Sequence, residues 1–201
     1  MGTSAAIVLA GGASRRMGVD KVTLVVDGRR LVDHVVGEAV GAGVEHVVLA
    51  GPDPGDLPET VSIVGDLDPE RRGPLAGVSA GWRALAPDAH DPILVLSCDL
   101  PCIDRRLLGE LIVAAAGDPV GAVAHDGQHA QPLVAAYRRS TIEWLDQAFR
   151  SGERSIRKLL EGRPPAIVAS DRQVVADVDE PRDLAQYRVG WPDHEQGERG
   201  R

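Results

Sequence analysis

The sequence predicts an α/β fold: a single Rossmann-like, three-layer domain with a mostly parallel sheet and a β-hairpin insertion near residues 120–137. Three observations carry this. Short, nearly continuous β-branched runs alternate with longer stretches of helical spacing, the pattern of parallel strands covered on both faces. An Asp-Gly pair sits between two strand-like runs in the second half, a hairpin signal. The 201 residues contain no internal repeat and no low-complexity linker, which fits one domain. We expect that domain over residues 1–190, followed by a polar, aperiodic and disordered tail over 191–201.

Taken in order, Ala5–Ala10, Val47–Ala50, Val61–Val64 and Ile93–Leu96 read as buried strands. Leu31, Val35, Val36, Ala39 and Val40 share one helical face, and Leu75, Val78, Ala80, Trp82 and Leu85 most of another. Leu107, Leu108, Leu111, Ile112 and Ala115 make a third. Val120–Ala124 and Pro132–Tyr137 flank His125-Asp126-Gly127-Gln128 as the hairpin. Helices are expected at Thr141–Phe149 and Ser155–Glu161, then a strand at Val174–Val178. Pro181–Tyr187 reads as a helix with proline in its first turn.

Composition narrows the function classes. Apolar residues at 43% and charged residues at 26% exclude a fully disordered or collagen-like chain. Aromatics at 3% argue against a single-strand nucleic-acid binder, which relies on stacking rings. A net charge of -8 leaves no electrostatic footprint for nucleic acid or an anionic membrane. A negative chain that handles a polyanion must gather cations locally or borrow a metal ion. Cys98 and Cys102 match neither a zinc ribbon nor a thioredoxin site, and a reducing cytoplasm is their simplest home. The apolar run Ala5–Ala10 is too short for a signal-peptide core or a membrane span. His125 and His129 lie across a glycine turn and read as surface histidines rather than a zinc pair.

The most informative segment is Leu9-Ala10-Gly11-Gly12-Ala13-Ser14-Arg15-Arg16-Met17-Gly18-Val19-Asp20-Lys21. It follows the first strand directly. Adjacent glycines let backbone N–H groups approach an anion without Cβ interference. Arg15, Arg16 and Lys21 add three positive charges. Together these suit a triphosphate at a strand's C-terminal end. The Walker loop is absent, because Gly18 and Lys21 are separated by two residues, and so is the dinucleotide fingerprint. The alternative is an ordinary turn with exposed arginines.

Leu-Ala-Gly-Gly-x-Ser-x-Arg-Met-Gly-x-Asp-Lys resembles the signature loop of the MobA-like nucleotidyltransferases, and within them the members that transfer guanylate to the molybdenum cofactor. The resemblance runs from about Ala5 to Tyr187. It implies that Leu9, Ala10, Gly11, Gly12, Arg15 and Lys21 bind nucleotide, with Lys21 on the phosphates. It implies transfer of GMP from GTP to the phosphate of molybdopterin, with Mg²⁺ as cofactor and pyrophosphate as the second product. Molybdoenzymes or cofactor-delivery proteins become candidate partners. Cytidylyl transfer, transfer to a sugar phosphate, or a non-catalytic nucleotide-binding regulator remain as alternatives.

Acidic positions extend the pattern. Asp99, in Ser97-Cys98-Asp99-Leu100-Pro101, ends the strand Ile93–Leu96 on the rim that carries the glycine loop. A carboxylate there suits Mg²⁺, which takes one or two carboxylates with phosphate oxygens. The competing role, capping the next helix, is better filled by Asp104. The resemblance makes Asp99 the metal-binding and catalytic carboxylate alongside Lys21. Gly73-Pro74-Leu75-Ala76-Gly77 resembles the element that lies against base and ribose, and Asp66 stands at the matching spacing before it. Hence Asp66 and Gly77 are expected nucleotide contacts. Asp177-Val178-Asp179-Glu180-Pro181 ends the last expected strand, where alternation puts both aspartates on one side. Two carboxylates so close repel unless a cation lies between them, although a helix N-terminus would also welcome them. Asp-x-Asp-x-Pro is common here among nucleotidyltransferases, with one aspartate, taken as Asp179, on metal; guanylyl members often carry Asn-x-Asn. Gly152-Glu153-Arg154-Ser155 resembles a family segment near the acceptor, or is simply a helix start with Ser155 as cap.

Overall fold

The computed structural model describes residues 4–11, 21–65, 73–85, 90–187 and 189–190. Alternation along its first strand, β1 (Ser4–Leu9), sets the layers. Ala5, Ile7 and Leu9 enter one apolar cluster, while Ala6 and Val8, with Ala10 just beyond, enter another. Both faces are buried, so the strand is continuously apolar.

The chain next forms a small hairpin, β2 (Val25–Val26) and β3 (Arg29–Arg30). Asp27 and Gly28 both have positive φ, 51° and 83°, as a type I′ turn requires. Helix α1 (Leu31–Gly41) leads to β4 (Val44–Ala50), and β5 (Val61–Val64) follows. Helix α2 (Pro74–Ala84) returns the chain to β6 (His90–Ser97), and α3 (Arg105–Ala116) leads to the hairpin β7 (Gly121–His125) and β8 (Ala130–Tyr137). Helices α4 (Arg139–Arg150) and α5 (Ile156–Glu161) precede β9 (Ala166–Ala169), and β10 (Val189–Gly190) closes the chain.

Seven strands form one sheet in the order β5-β4-β1-β6-β8-β7-β9. All run parallel except β8, which is antiparallel to β6 and β7. The hairpin is therefore part of the main sheet rather than an appendage. Residues of α1 and α3 share one apolar cluster with one face of the sheet. Those of α2, α4 and α5 cover the other. This is the three-layer arrangement the sequence predicts. Strands β10, β2 and β3 make a separate small sheet.

Several elements differ from expectation. Val61–Val64 is a strand, but it lies at the sheet's edge and is not buried: Ser62 and Ile63 are exposed. Val174–Val178 is not a strand. Val174 and Val175 lie in a turn, and the residues after them pair with no strand. Val175 and Val178 are apolar because they pack on the core, at 5% and 1% exposure, not because they join a ladder. The strand at Ala166–Ala169 and the small sheet were not foreseen, although Val25-Val26-Asp27-Gly28 carries the same Asp-Gly signal as the larger hairpin. The stretch 191–201 lies outside the described residues.

Candidate active site

Strand order reverses beside β1. From β1 the chain moves outward through α1 to β4 and β5, then crosses by α2 on the opposite face to β6 on β1's other side. Ligands of open α/β sheets bind in the crevice that such a reversal leaves at the strands' C-terminal ends. Among the expected site residues that are described, Leu9, Ala10, Gly11, Gly77 and Asp99 are at this end. Cys98 N–H donates to Leu9 C=O at 3.0 Å, and Ala10 N–H to Ala50 C=O at 2.9 Å. Sheet-like bonding thus continues through Ala10, and Gly11 is exposed where the backbone leaves the sheet. Gly12, Arg15 and Asp66 lie outside the described residues. Lys21 begins the 3-10 turn Lys21–Thr23, and its side chain also lies outside.

Gly77 belongs to the first turns of α2, and its missing side chain decides how close that helix comes. A Cβ there would stand 2.9 Å from Leu9 Cδ2. Gly73, the N-cap of α2, has φ 104°. A Cβ on it would meet Arg154 C=O at 3.0 Å. The start of α2 therefore packs on Leu9 on one side and on the Arg154 backbone on the other.

Asp99 follows β6 and is 8% exposed. The Ser97 hydroxyl donates to its Oδ1. Asp104 is the N-cap of α3, accepting from Leu107 N–H at 2.9 Å, so Asp99 is not that helix's cap. Val178 N–H donates to Asp99 C=O at 3.0 Å and fastens the 177–179 segment beside it. One carboxylate oxygen each of Asp99, Asp177 and Asp179 then falls within 4.8 Å of the others. Asp183 Oδ2 accepts from the N–H groups of Asp179 and Glu180, at 3.0 and 2.8 Å, and holds the turn. Three hard oxygen donors, one buried and two exposed, suit Mg²⁺ or Mn²⁺. The convergence expected of strand alternation exists, but it comes from a backbone bond to the Asp99 segment.

An open cavity of about 370 Å³ adjoins these acids. Pro74, Ser97 and Asp177 line one part, and Gln131, Arg154 and Arg157 another. Arg154 is held in place by several contacts. Its guanidinium stacks on Phe149 at 4.6 Å and donates to Phe149 C=O and Glu153 C=O at 3.1 and 2.9 Å. Glu153 accepts from the N–H groups of Ser155 and Arg154 and from Lys158 Nζ. The Ser155 bond is the strongest cause of its carboxyl being held down to about 2. Ser155 caps α5, accepting from Lys158 N–H at 3.3 Å. The 152–155 segment thus serves both as helix start and as cavity wall. Sequence reasoning missed Gln131 and Arg157. Nothing in a single sequence distinguishes them from surface residues, because the cavity joins segments far apart in the chain.

The remaining singled-out residues do local work. Cys98 is buried and Cys102 half-buried, both as free thiols. His125 Nδ1 accepts from Gly127 N–H at 3.1 Å within the hairpin turn. Among the described residues, no helix is long and apolar enough to cross a membrane.

Comparison with known proteins follows the same lines. Residues 6–172 match the family model of the MobA-like NTP transferase domain. A molybdenum cofactor guanylyltransferase of Pseudomonas putida is 33% identical over 156 residues, covering 77% of this chain and 80% of that protein. The solved molybdopterin-guanine dinucleotide biosynthesis protein A of Archaeoglobus fulgidus superposes with a TM-score of 0.66 at 22% identity, over 90% of this chain and 94% of that one. A Mycobacterium tuberculosis protein solved as a complex with manganese superposes with a TM-score of 0.65 at 19% identity, over 92% and 98%. At these identities the two structures speak for the fold.

Proposed function

The chain belongs to the MobA-like NTP transferase family, and from that premise we propose that it transfers GMP from GTP to the terminal phosphate of molybdopterin and releases pyrophosphate. That it is an enzyme of nucleotidyltransferase type follows from the family itself. The guanylyl reading draws on the relative from Pseudomonas putida. One structural observation carries it: a cavity with arginines on one wall and converging carboxylates at its edge, at the switch point of the sheet.

In this reading the loop of Leu9, Ala10, Gly11, Gly12, Arg15 and Lys21 holds the triphosphate, and Asp66 and Gly77 flank base and ribose. The acceptor phosphate enters the neighbouring cavity, facing Arg154 and Arg157. Asp99, with Asp179 and Asp177, would hold Mg²⁺, which when bound neutralises phosphate charge as a Lewis acid. Loop N–H groups and Lys21 offset the charge that develops as pyrophosphate leaves. The acceptor phosphate is already ionised at neutral pH, so no general base is assigned. The protein's contribution is to fix two anions in line. The chemistry suits the cytoplasm, where both thiols stay reduced. The deciding experiment is mass spectrometry of the product formed from GTP, Mg²⁺ and molybdopterin. Molybdopterin guanine dinucleotide is expected; its absence, with acceptor and nucleotide recovered intact, overturns the reading.

A further inference from the structure

We propose that a second cavity, behind the first, holds the ring system of the acceptor: a flat fused heterocycle whose attached phosphate lies in the first. The inference rests on the acceptor reading above. The second cavity has a volume of about 340 Å³. It opens between the turn of the β7–β8 hairpin, helix α5 and strand β9. Pro132 and Arg157 line both cavities, so the two share a wall.

The second cavity is chemically unlike the first. Its walls include Leu160, Pro164, Pro165 and Ile167, with Gln128, His129 and Glu161 as polar groups beside the shared Arg157. Strand β9 is covered unevenly. Ala166 and Val168 pack on the cluster shared with α3, but Ile167 is 56% exposed. An apolar side chain left half open at a cavity of this size is surface that a flat ligand can cover. Proline faces and an isoleucine suit a planar ring.

The charges fit the same occupant. Arg157, in the shared wall, makes no hydrogen bond or ion pair with any described residue, unlike Arg154 beside it. Glu161 lies one helical turn further along α5 and makes no hydrogen bond among the described residues. It feels Lys158 only through Coulomb attraction. A guanidinium without a partner pairs with a phosphate oxygen. A carboxylate that makes no hydrogen bond of its own can accept two N–H bonds from an amino-pyrimidine edge. In order from the three aspartates, the surfaces offer room for the reacting phosphate, a cation to hold it, an apolar slot, and an acceptor for ring N–H groups. A phosphorylated pterin presents those groups in that order.

The test uses the intrinsic fluorescence of 6-hydroxymethylpterin monophosphate, titrated with the full-length protein. Three variants are compared with the wild type: Ile167→Trp, which fills the slot, Arg157→Ala and Glu161→Gln. Ile167→Trp and Arg157→Ala are each expected to weaken binding about tenfold or more. Glu161→Gln should weaken the phosphorylated and unphosphorylated pterins by the same factor, because it acts on the ring. Arg157→Ala should affect only the phosphorylated one. GTP affinity stays within about twofold of wild type in all three, which also reports that the variants are folded. No binding to wild type, or unchanged affinity in Ile167→Trp, overturns the proposal. Binding that responds as expected, with no dinucleotide formed from GTP and molybdopterin, keeps the cavity assignment and overturns the transfer reaction instead.

Discussion

On the β1 side of the sheet the rim is built from backbone and small residues: Leu9, Ala10 and Gly11 at the end of β1, Ala50 beside them, and Gly77 against Leu9. On the β8 side the wall is built from long polar side chains, Gln131, Arg154 and Arg157. The described residues of the first half would meet a ligand mainly through main-chain groups, which most substitutions leave in place. The second would meet it through side chains. The halves meet where α2 packs on α4. There Asp146, 7% exposed, accepts from Ser79 Oγ at 2.5 Å and from Arg83 Nε at 3.1 Å.

The comparison can be broken most decisively at the carboxylates. Asp99→Asn should lower transfer by about a thousandfold or more, since it removes a charge-stabilising group from the reacting centre. The urea midpoint should hardly move. Turnover within a few-fold of wild type would mean that Asp99 holds no metal. Lys21→Ala comes next, with transfer reduced about a hundredfold and weaker GTP binding. Unchanged rate and affinity would make it a surface lysine.

The junction between the halves should matter for stability. Asp146→Ala leaves Ser79 and Arg83 without a buried acceptor, a loss of about 1–3 kcal/mol. Urea unfolding checks it, and a change below a few tenths of a kcal/mol would show that the two helices pack without this contact.

Base selection sharpens the view of the backbone-rich half. With equal GTP and CTP, Mg²⁺ and acceptor, guanine product should dominate, as the resemblance of Gly73-Pro74-Leu75-Ala76-Gly77 to the element of guanylyl members implies. Mass spectrometry counts the products; mainly cytosine dinucleotide would reassign the nucleotide and leave the transfer itself standing.

The smallest effect concerns pH. The Arg105 hydrogen bond holds the Glu38 carboxyl below its ordinary range, and burial pushes His34 below its usual value. In both cases the unfolded chain binds more protons than the folded one. Stability should therefore fall as pH drops below about 6.5 for His34 and below about 4.3 for Glu38. His34→Gln should flatten the upper part of the curve and Glu38→Gln the lower, read as urea midpoint against pH. A slope unchanged in both variants would assign the acid loss to other groups.

Much was legible in the sequence because it depends on neighbours along the chain. The alternation of apolar runs located the strands and helices, since burial on both faces leaves no room for polar residues. Asp104 could be read as a cap and Asp126-Gly127 as a turn, because both act within a few residues. The glycine loop after β1 was recognisable from its own residues, and so was the family. Tertiary structure decided the rest. It placed Val61–Val64 at an edge, made the hairpin an interior part of the sheet, and left Val174–Val178 without strand partners. It brought Asp177 and Asp179 to Asp99 through the Val178 N–H bond. It also joined Arg157 and Pro132 into a wall shared by two cavities. Local spacing fixes which face of an element is apolar, but only packing fixes what that face meets. Side chains from distant segments gain a common role when the fold holds them at contact distance.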